Sequence, residues 1–375
     1  MEKPDKKPER LVSLDALRGF DMFWIIGGAG FFIALLKYLH FPESWIEVAQ
    51  THMEHVPWEG FHFFDLIFPM FVFISGVSIC YSIESQRKKG TSISGIQLRI
   101  LKRVAILILL GLSFSFFRFV DGNTRLYTVL WLIAMSYGIA ASFYLHFPSW
   151  KKQLICIGAT LVCYHLALEF MPYPGKGDGI IPENNLAAWL DRNLIETNLY
   201  RKVYDPEGTI RVIPAGMLCL LGCLAGQRIR FHSRVQGAAT IRCAAELAAT
   251  GVACWLLGWV WSFSLPVIKD LWTPSFILTA GAWSLLLLAL FYLVIDVWKQ
   301  RWIGWFFLPI GMNAITIYVA QRYFNFYHTR DFFAKGYANT IENPEAKMLL
   351  LTASLLGVQW LLLYFLYRKK IFIKV

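Results

Sequence analysis

Apolar residues in this chain gather into long runs separated by short polar breaks. The runs cover about 14–38, 62–84, 98–118, 126–146, 152–171, 210–229, 240–263, 274–297, 305–327 and 346–367. A helix rises ~1.5 Å per residue and the hydrocarbon core of a bilayer is ~30 Å thick, so ~20 apolar residues make one crossing. A β-barrel would show short alternating segments, and only helices and closed barrels satisfy their backbone groups in lipid. The pattern predicts an all-α fold: a polytopic membrane helix bundle with about ten transmembrane helices, residues 1–375 forming a single domain.

The breaks differ in length. A short polar tail covers 1–12, and three longer segments, 39–61, 172–209 and 328–345, fall on one side of the predicted bundle. Loops of that length are often functional. The second contains YPGKGDGIIPENN and YDPEGT, which predict shaped turns, and NLAAWLDRNL, which predicts a short helix. Segments 39–61 and 172–209 are expected to pack together as a cap over the mouth of the second span.

Composition removes the soluble alternative. Hydrophobic residues make up 57% and charged residues 16%, against ~25% charged in ordinary globular domains. The net charge of +11 points to topology. Lys3, Lys6, Lys7 and Arg10, then Arg87 to Arg103, Arg228 to Arg242, and Arg368 to Lys374 all fall in alternate breaks, with no nucleic-acid-binding motif around them. The positive-inside rule then puts both termini in the cytoplasm, in a multi-pass protein of the inner (cytoplasmic) membrane with lipid as its surrounding partner and no nucleic acid. The start is polar, so the first span is expected to serve as its own insertion signal. The seven cysteines form no C-x-x-C pair and read as small buried residues.

Candidate chemistry concentrates in THMEHVPWEGFHFFDLIFPMF. His52, His55 and His62 lie there with Glu54, Glu59 and Asp65, and the rest of the chain holds the remaining five of eight histidines. Imidazole titrates near neutral pH and a carboxylate can orient it, so the set suits proton transfer. The other reading is an interfacial loop, where His and Trp are common. The histidine spacing fits no standard metal motif, and no metal is expected. Asp65 is flanked by apolar residues. A carboxylate at the centre of a span costs roughly 2.5–3.5 kcal/mol, so it should face a cavity or a partner, unless the loop solvates it. In the first span, Asp15 and Arg18 are three apart and can pair on one helical face. Gly27, Gly28 and Gly30 thin that helix, for close packing or for a narrow ligand. Asn313 and Gln321 sit in apolar surroundings, where such residues are usually glue between helices. No nucleotide fingerprint, G-x-S-x-G or H-E-x-x-H occurs.

Several stretches resemble the catalytic membrane domain of the heparan-α-glucosaminide N-acetyltransferase family, within a wider group of transmembrane acyltransferases. They are RLVSLDALRGF, HVPWEGFHFFDLIFPMFVFISGVSI, NLAAWLDRNL, YDPEGT, LLGCLAG, LWTPSFILTAGAW, GMNAITIYVA and LYRKKIFIKV, in the family's order and spacing. The resemblance implies that the histidine before W-x-G, here His55, is the active-site residue and that Asp65 is its aspartate. It implies acetyl-CoA as co-substrate, entering from the cytoplasm, and the amino group of a glucosamine-type sugar as acceptor across the membrane. On that reading Arg18, Lys102 and Arg103 hold the phosphates of coenzyme A, and Gly27 and Gly28 make room for its arm. Trp58, Glu59, Asp205 and Asn313 then serve the sugar, with Asp178 and Glu183 as further outer acids; a homodimer is compatible with this. The sequence departs from the family at IIGGAG, where a polar residue is usual, and at TRLYTVLWLIAMSYG, which keeps Arg125 and Leu130 alone of its motif. The other function class is a sugar or lipid transporter sharing the fold without acyl transfer. Release of free thiol from acetyl-CoA and glucosamine separates the two.

Overall fold

The computed structural model describes residues 11–114, 125–177, 179–195 and 197–373. The polar tail 1–10, Asp178 and residues 115–118 of the third predicted span lie outside them. Among the described residues the chain is helical, with no strand and one isolated bridge between Glu59 and Ile268. The helices are α1 (Val12–Phe23), α2 (Ala29–Tyr38), α3 (Glu43–His52), α4 (Phe63–Lys88) and α5 (Ile93–Ser113). Then come α6 (Val129–His146), α7 (Trp150–Phe170), α8 (Leu186–Asn193), α9 (Val212–Gln236) and α10 (Ile241–Ser262). The last are α11 (Pro274–Phe291), α12 (Trp302–Met312), α13 (Ala314–Tyr323), α14 (Phe326–Ala338) and α15 (Pro344–Arg368).

Eight helical segments among the described residues are long and apolar enough to cross a membrane, and the bent pair α12–α13 makes a ninth. Helix α5 occupies the place of the third predicted span; it begins earlier than predicted and carries Arg99, Lys102 and Arg103. About ten crossings agrees with this arrangement.

The chain divides into two compact units. The first comprises Met1–Phe41, Val235–Glu246 and Leu287–Lys374. Its opening span is not one straight helix. Between α1 and α2 lies a π-helical turn, Trp24–Gly28, in which Gly27 takes φ 126°. Only glycine adopts that backbone cheaply, so Gly27 is needed for the break itself. The carbonyl of Ile26 accepts from Gln359 Nε2 on α15 at 2.8 Å, and Gln321 Nε2 donates to Gln359 Oε1 at 2.8 Å. Close packing of α1 is done elsewhere. A Cβ on Gly19 would strike the Phe307 carbonyl, and one on Gly311 the Asp15 carbonyl.

The predicted span 305–327 is two helices bent by 55°. The break falls at Asn313, which leaves helical geometry (φ −127°, ψ 32°). Its Nδ2 donates to Ile371 O at 3.2 Å, and its Oδ1 accepts from Ile373 N at 3.4 Å. Asn313, buried, thus pins the segment after α15 with the amide expected to serve a sugar. The predicted loop 328–345 is largely helix α14, started by Asn325, whose side chain accepts from the Tyr327 and His328 amides.

The second unit comprises Pro42–Arg234 with Leu247–Leu286. Helices α4 and α9 meet through glycine: a Cβ on Gly76 would strike the Cys219 carbonyl, and one on Gly222 the Phe73 carbonyl. A small apolar core gathers Tyr164 and Leu168 of α7, Leu186 and Ala187 of α8, and Leu265, Ile268 and Leu271 from the segment before α11. Trp58, Tyr173 and Ile180 pack against it. The two segments expected to form a cap do touch: Trp58 Nε1 donates to Ile180 O at 3.1 Å, and its ring lies 5.8 Å from that of Tyr204.

Candidate active site

The site is built where the 53–62 loop turns into α4. His62 is the extended residue before the helix (φ −100°, ψ 163°), and Asp65 is the third helical residue. A carboxylate there answers the unpaired amides of the first turn and the positive end of the helix dipole. Asp65 Oδ2 accepts from the amides of His62 (3.0 Å) and Val56 (3.3 Å). That ties the loop back over the helix and leaves Oδ1 for a side chain. His55 Nδ1 lies 2.8 Å from Oδ1. Asp65 is fully buried, while the His55 side chain is 47% exposed. The loop does not solvate Asp65; it sits beneath an imidazole that faces out. The tautomer with its proton on Nδ1 donates to Oδ1 and leaves the lone pair on Nε2.

A third group completes the cluster. Lys269 Nζ lies 3.1 Å from Asp65 Oδ1, 2.8 Å from His55 Nδ1 and 3.2 Å from His55 Nε2. It is delivered by a clamped turn before α11. Gly60 N donates to Val267 O at 2.9 Å beside the Glu59–Ile268 bridge. Thr273 Oγ1 accepts from Ile268 N at 3.1 Å and donates to Pro266 O at 2.9 Å. Tyr164 Oη donates to Leu271 O at 2.8 Å, and Arg211 Nε donates to Asp270 O at 2.5 Å. Nothing in SLPVIKDLW distinguishes Lys269 from an ordinary interfacial lysine, because its partners come from a segment more than two hundred residues away.

Around this cluster is a layer of buried charge. Arg211 and Asp191 pair at 2.7 Å with neither side chain exposed. Arg125 donates Nε and Nη2 to Asp205 at 2.8 and 2.7 Å, and Nη2 also reaches Glu207 at 2.5 Å. Burial, with Asp205 close by, pushes the Glu207 carboxyl up to about 8. Tyr204 Oη donates to Asp270 Oδ2 at 2.6 Å. Asp205 is therefore fully buried with both oxygens taken by Arg125, and is not the surface acid expected to bind a sugar. Arg125, kept from the family stretch, has this pairing as its place.

The other expected site residues are distributed. Glu59 is exposed and borders a cleft of about 290 Å³ with Glu169, Tyr173, Lys176 and Pro266. Glu169 Oε2 lies 2.8 Å from His165 Nε2. Glu183 is exposed. Trp58 is committed to the joint with Ile180. Arg18, in the first unit, pairs with Asp15 at 3.1 Å as its spacing predicted. Gly27 lines a cavity of about 640 Å³ in that unit, with Tyr318, Gln321, Arg322 and Gln359, and Gly28 is buried beside the Phe23 ring. Lys102 and Arg103 belong to the second unit; Lys102 is exposed, and the Arg103 guanidinium lies 4.4 Å over the Tyr137 ring. The His52 and His62 rings are 5.4 Å apart, with His62 Nδ1 3.0 Å from Glu54 O. Among the described residues no three His, Cys, Asp or Glu converge as metal ligands.

The family described as heparan-alpha-glucosaminide N-acetyltransferase, catalytic, matches residues 10–256. The chain belongs to this family. Curated relatives extend the match over nearly its whole length. The human heparan-alpha-glucosaminide N-acetyltransferase is 27% identical over 98% of this chain and 60% of its own. The mouse enzyme of that name is 27% identical, with 99% and 62% covered. The chain thus spans about three fifths of the length of these relatives. Family membership and the apolar helices together make this a multi-pass membrane protein of an acetyltransferase family.

Proposed function

We propose that this protein transfers an acetyl group from acetyl-CoA, bound from the cytoplasm, to the amino group of a glucosamine-type sugar on the opposite side of the inner membrane. The observation that carries the reading is the half-exposed His55 imidazole held at 2.8 Å by a fully buried Asp65. An amino sugar is an ammonium near neutral pH and must lose a proton before its nitrogen attacks a thioester. Nε2 of His55, left with a lone pair by the Asp65 contact, takes that proton. The nitrogen bonds to the acetyl carbon, the carbon–sulfur bond breaks, the thiolate recovers the proton from the imidazolium, and the acetylated nitrogen sheds its second proton to water. In the covalent variant Nε2 attacks the acetyl carbon, the carbon–sulfur bond breaks to release the thiolate, and the acetyl-imidazole passes its group to the neutral amine, whose proton goes to the thiolate. Both routes need the same tautomer.

Substrate placement follows the charges. Glu59 borders the cleft beside the Glu59–Ile268 bridge, one residue from Lys269, and offers a carboxylate to a cationic sugar. Lys102 and Arg103 on α5, in the same unit as His55, supply cations for coenzyme A phosphates. The excess of basic residues in alternate breaks supports cytoplasmic termini and a cytoplasmic donor.

The test uses sealed vesicles with the non-cytoplasmic face outward, loaded with labelled acetyl-CoA and given glucosamine outside. Label is expected on external glucosamine, with free thiol appearing inside. His55→Ala should abolish transfer while coenzyme A still binds. Transfer that survives His55→Ala, or that needs both ligands on one side, refutes the proposal. Passage of unmodified sugar without acetyl-CoA identifies a transporter.

A further inference from the structure

Two charged groups, not one, touch the His55 imidazole. Asp65 favours the protonated ring; Lys269, with Nζ at 2.8 and 3.2 Å from the two ring nitrogens, opposes it. We infer that Lys269 is a positioning residue whose ammonium keeps His55 neutral, so that the ring can act as a base and the imidazolium formed in turnover gives its proton up readily. This rests on the proposed role of His55.

The surroundings support an ammonium. Lys269 faces Asp65 from α4, Asp270 from its own turn, and Glu207 from the loop before α9, where Glu207 and Asp205 share Arg125. Burial moves its titration below the ordinary lysine range, while Asp65 and Asp270 hold the proton on. On the imidazole side, Phe64 contributes only an aromatic ring at 5.1 Å, and His62 turns to the Glu54 backbone carbonyl. Among the described residues, Lys269 is therefore the cation that contacts the ring. Its contact with Asp65 also fixes Oδ1, the atom that orients Nδ1.

The chemistry explains why both charges are needed. A histidine paired with a carboxylate alone holds its proton to higher pH. Fewer rings would then be neutral at the pH of the reaction, and the imidazolium would be a poorer acid toward the leaving thiolate. An ammonium about 3 Å away is worth about one pH unit even at the dielectric of water, and more in a buried setting.

The test compares wild type, Lys269→Met and Lys269→Arg in the full-length protein in liposomes. Two pH profiles are recorded. One is carbethoxylation of His55 by diethyl pyrocarbonate, which requires the neutral ring and is read by mass spectrometry of the peptide containing His55. The other is the acid limb of acetyl transfer to glucosamine. Removing the cation should move both midpoints up by about one pH unit or more. Lys269→Arg keeps the charge and should stay near wild type. Lys269→Gln, also uncharged, replaces the Met variant if that does not fold. Midpoints for the uncharged variant that overlay wild type overturn the inference, as does an Arg variant shifted equally far. Loss of transfer in both variants with unmoved carbethoxylation also overturns it, making Lys269 itself the proton acceptor. If wild type transfers no acetyl group, the proposed function fails, while the carbethoxylation midpoints still decide the role of Lys269.

Discussion

Asp65→Asn isolates what the buried carboxylate does, because the amide keeps its shape and loses its charge. Asp65 has no exposed surface and binds four groups: the His55 ring, Lys269 and the amides of Val56 and His62. When His55 takes a proton, the new imidazolium stands next to this carboxylate. At ~4 Å and an effective dielectric of ~20 the pair is worth ~4 kcal/mol. The amide oxygen still accepts one hydrogen bond, so a loss of about 3 kcal/mol is expected, or roughly a hundredfold in rate. If the amide turns its NH₂ toward Nδ1, the ring adopts the wrong tautomer and the loss grows. Stability should fall by about 1–3 kcal/mol, since charge-assisted bonds at the start of α4 become neutral ones. The assay is single-turnover transfer of labelled acetyl at saturating donor, with coenzyme A binding and the melting midpoint measured in parallel. A rate within threefold of wild type in folded, donor-binding protein would show that Asp65 only starts a helix, and the His55 mechanism would fall with it.

Two further outcomes test the scaffold. Arg211→Met leaves Asp191 buried without its cation and should destabilise the second unit by about 3–5 kcal/mol, read as a lowered melting midpoint; the double variant with Asp191→Leu should recover much of that, and no recovery would argue that the pair does more than balance charge. Gly76→Val should abolish the folded protein, because α4 would have to leave the Cys219 carbonyl, whereas Gly158→Ala, with nothing within 4 Å, should be neutral or stabilising by up to about 1 kcal/mol; equal behaviour of the two would contradict the close approach of α4 and α9.

The helical crossings were legible in the sequence because lipid admits few backbone solutions, so a run of about twenty apolar residues has one structural meaning. The Arg18–Asp15 pair and helix α8 were legible because they are local. His55 and Asp65 were legible as candidates: the chain spends few acids and histidines in apolar surroundings, and these two lie ten residues apart. Segmental breaks were less so. The π turn at Gly27 and the bend at Asn313 interrupt runs whose hydropathy is continuous, since each is set by a partner on another helix: Gln359 for the Ile26 carbonyl and the chain after α15 for Asn313. The same reason withdrew Asp205 and Asn313 from the sugar. A polar residue's availability depends on what reaches it, and Arg125 and the Ile371 carbonyl reach these first. Lys269 is the clearest case. Its spacing carries no signal, and only the clamp around Pro266–Thr273, with the Gly60–Val267 contact, brings its ammonium to His55. Sequence alone determined which segments cross and which titratable groups sit at a crossing's mouth, because burial in lipid is a local property of composition. Tertiary structure decided which charges meet, because an ion pair's strength depends on distance and exposure, and neither is written in residue order.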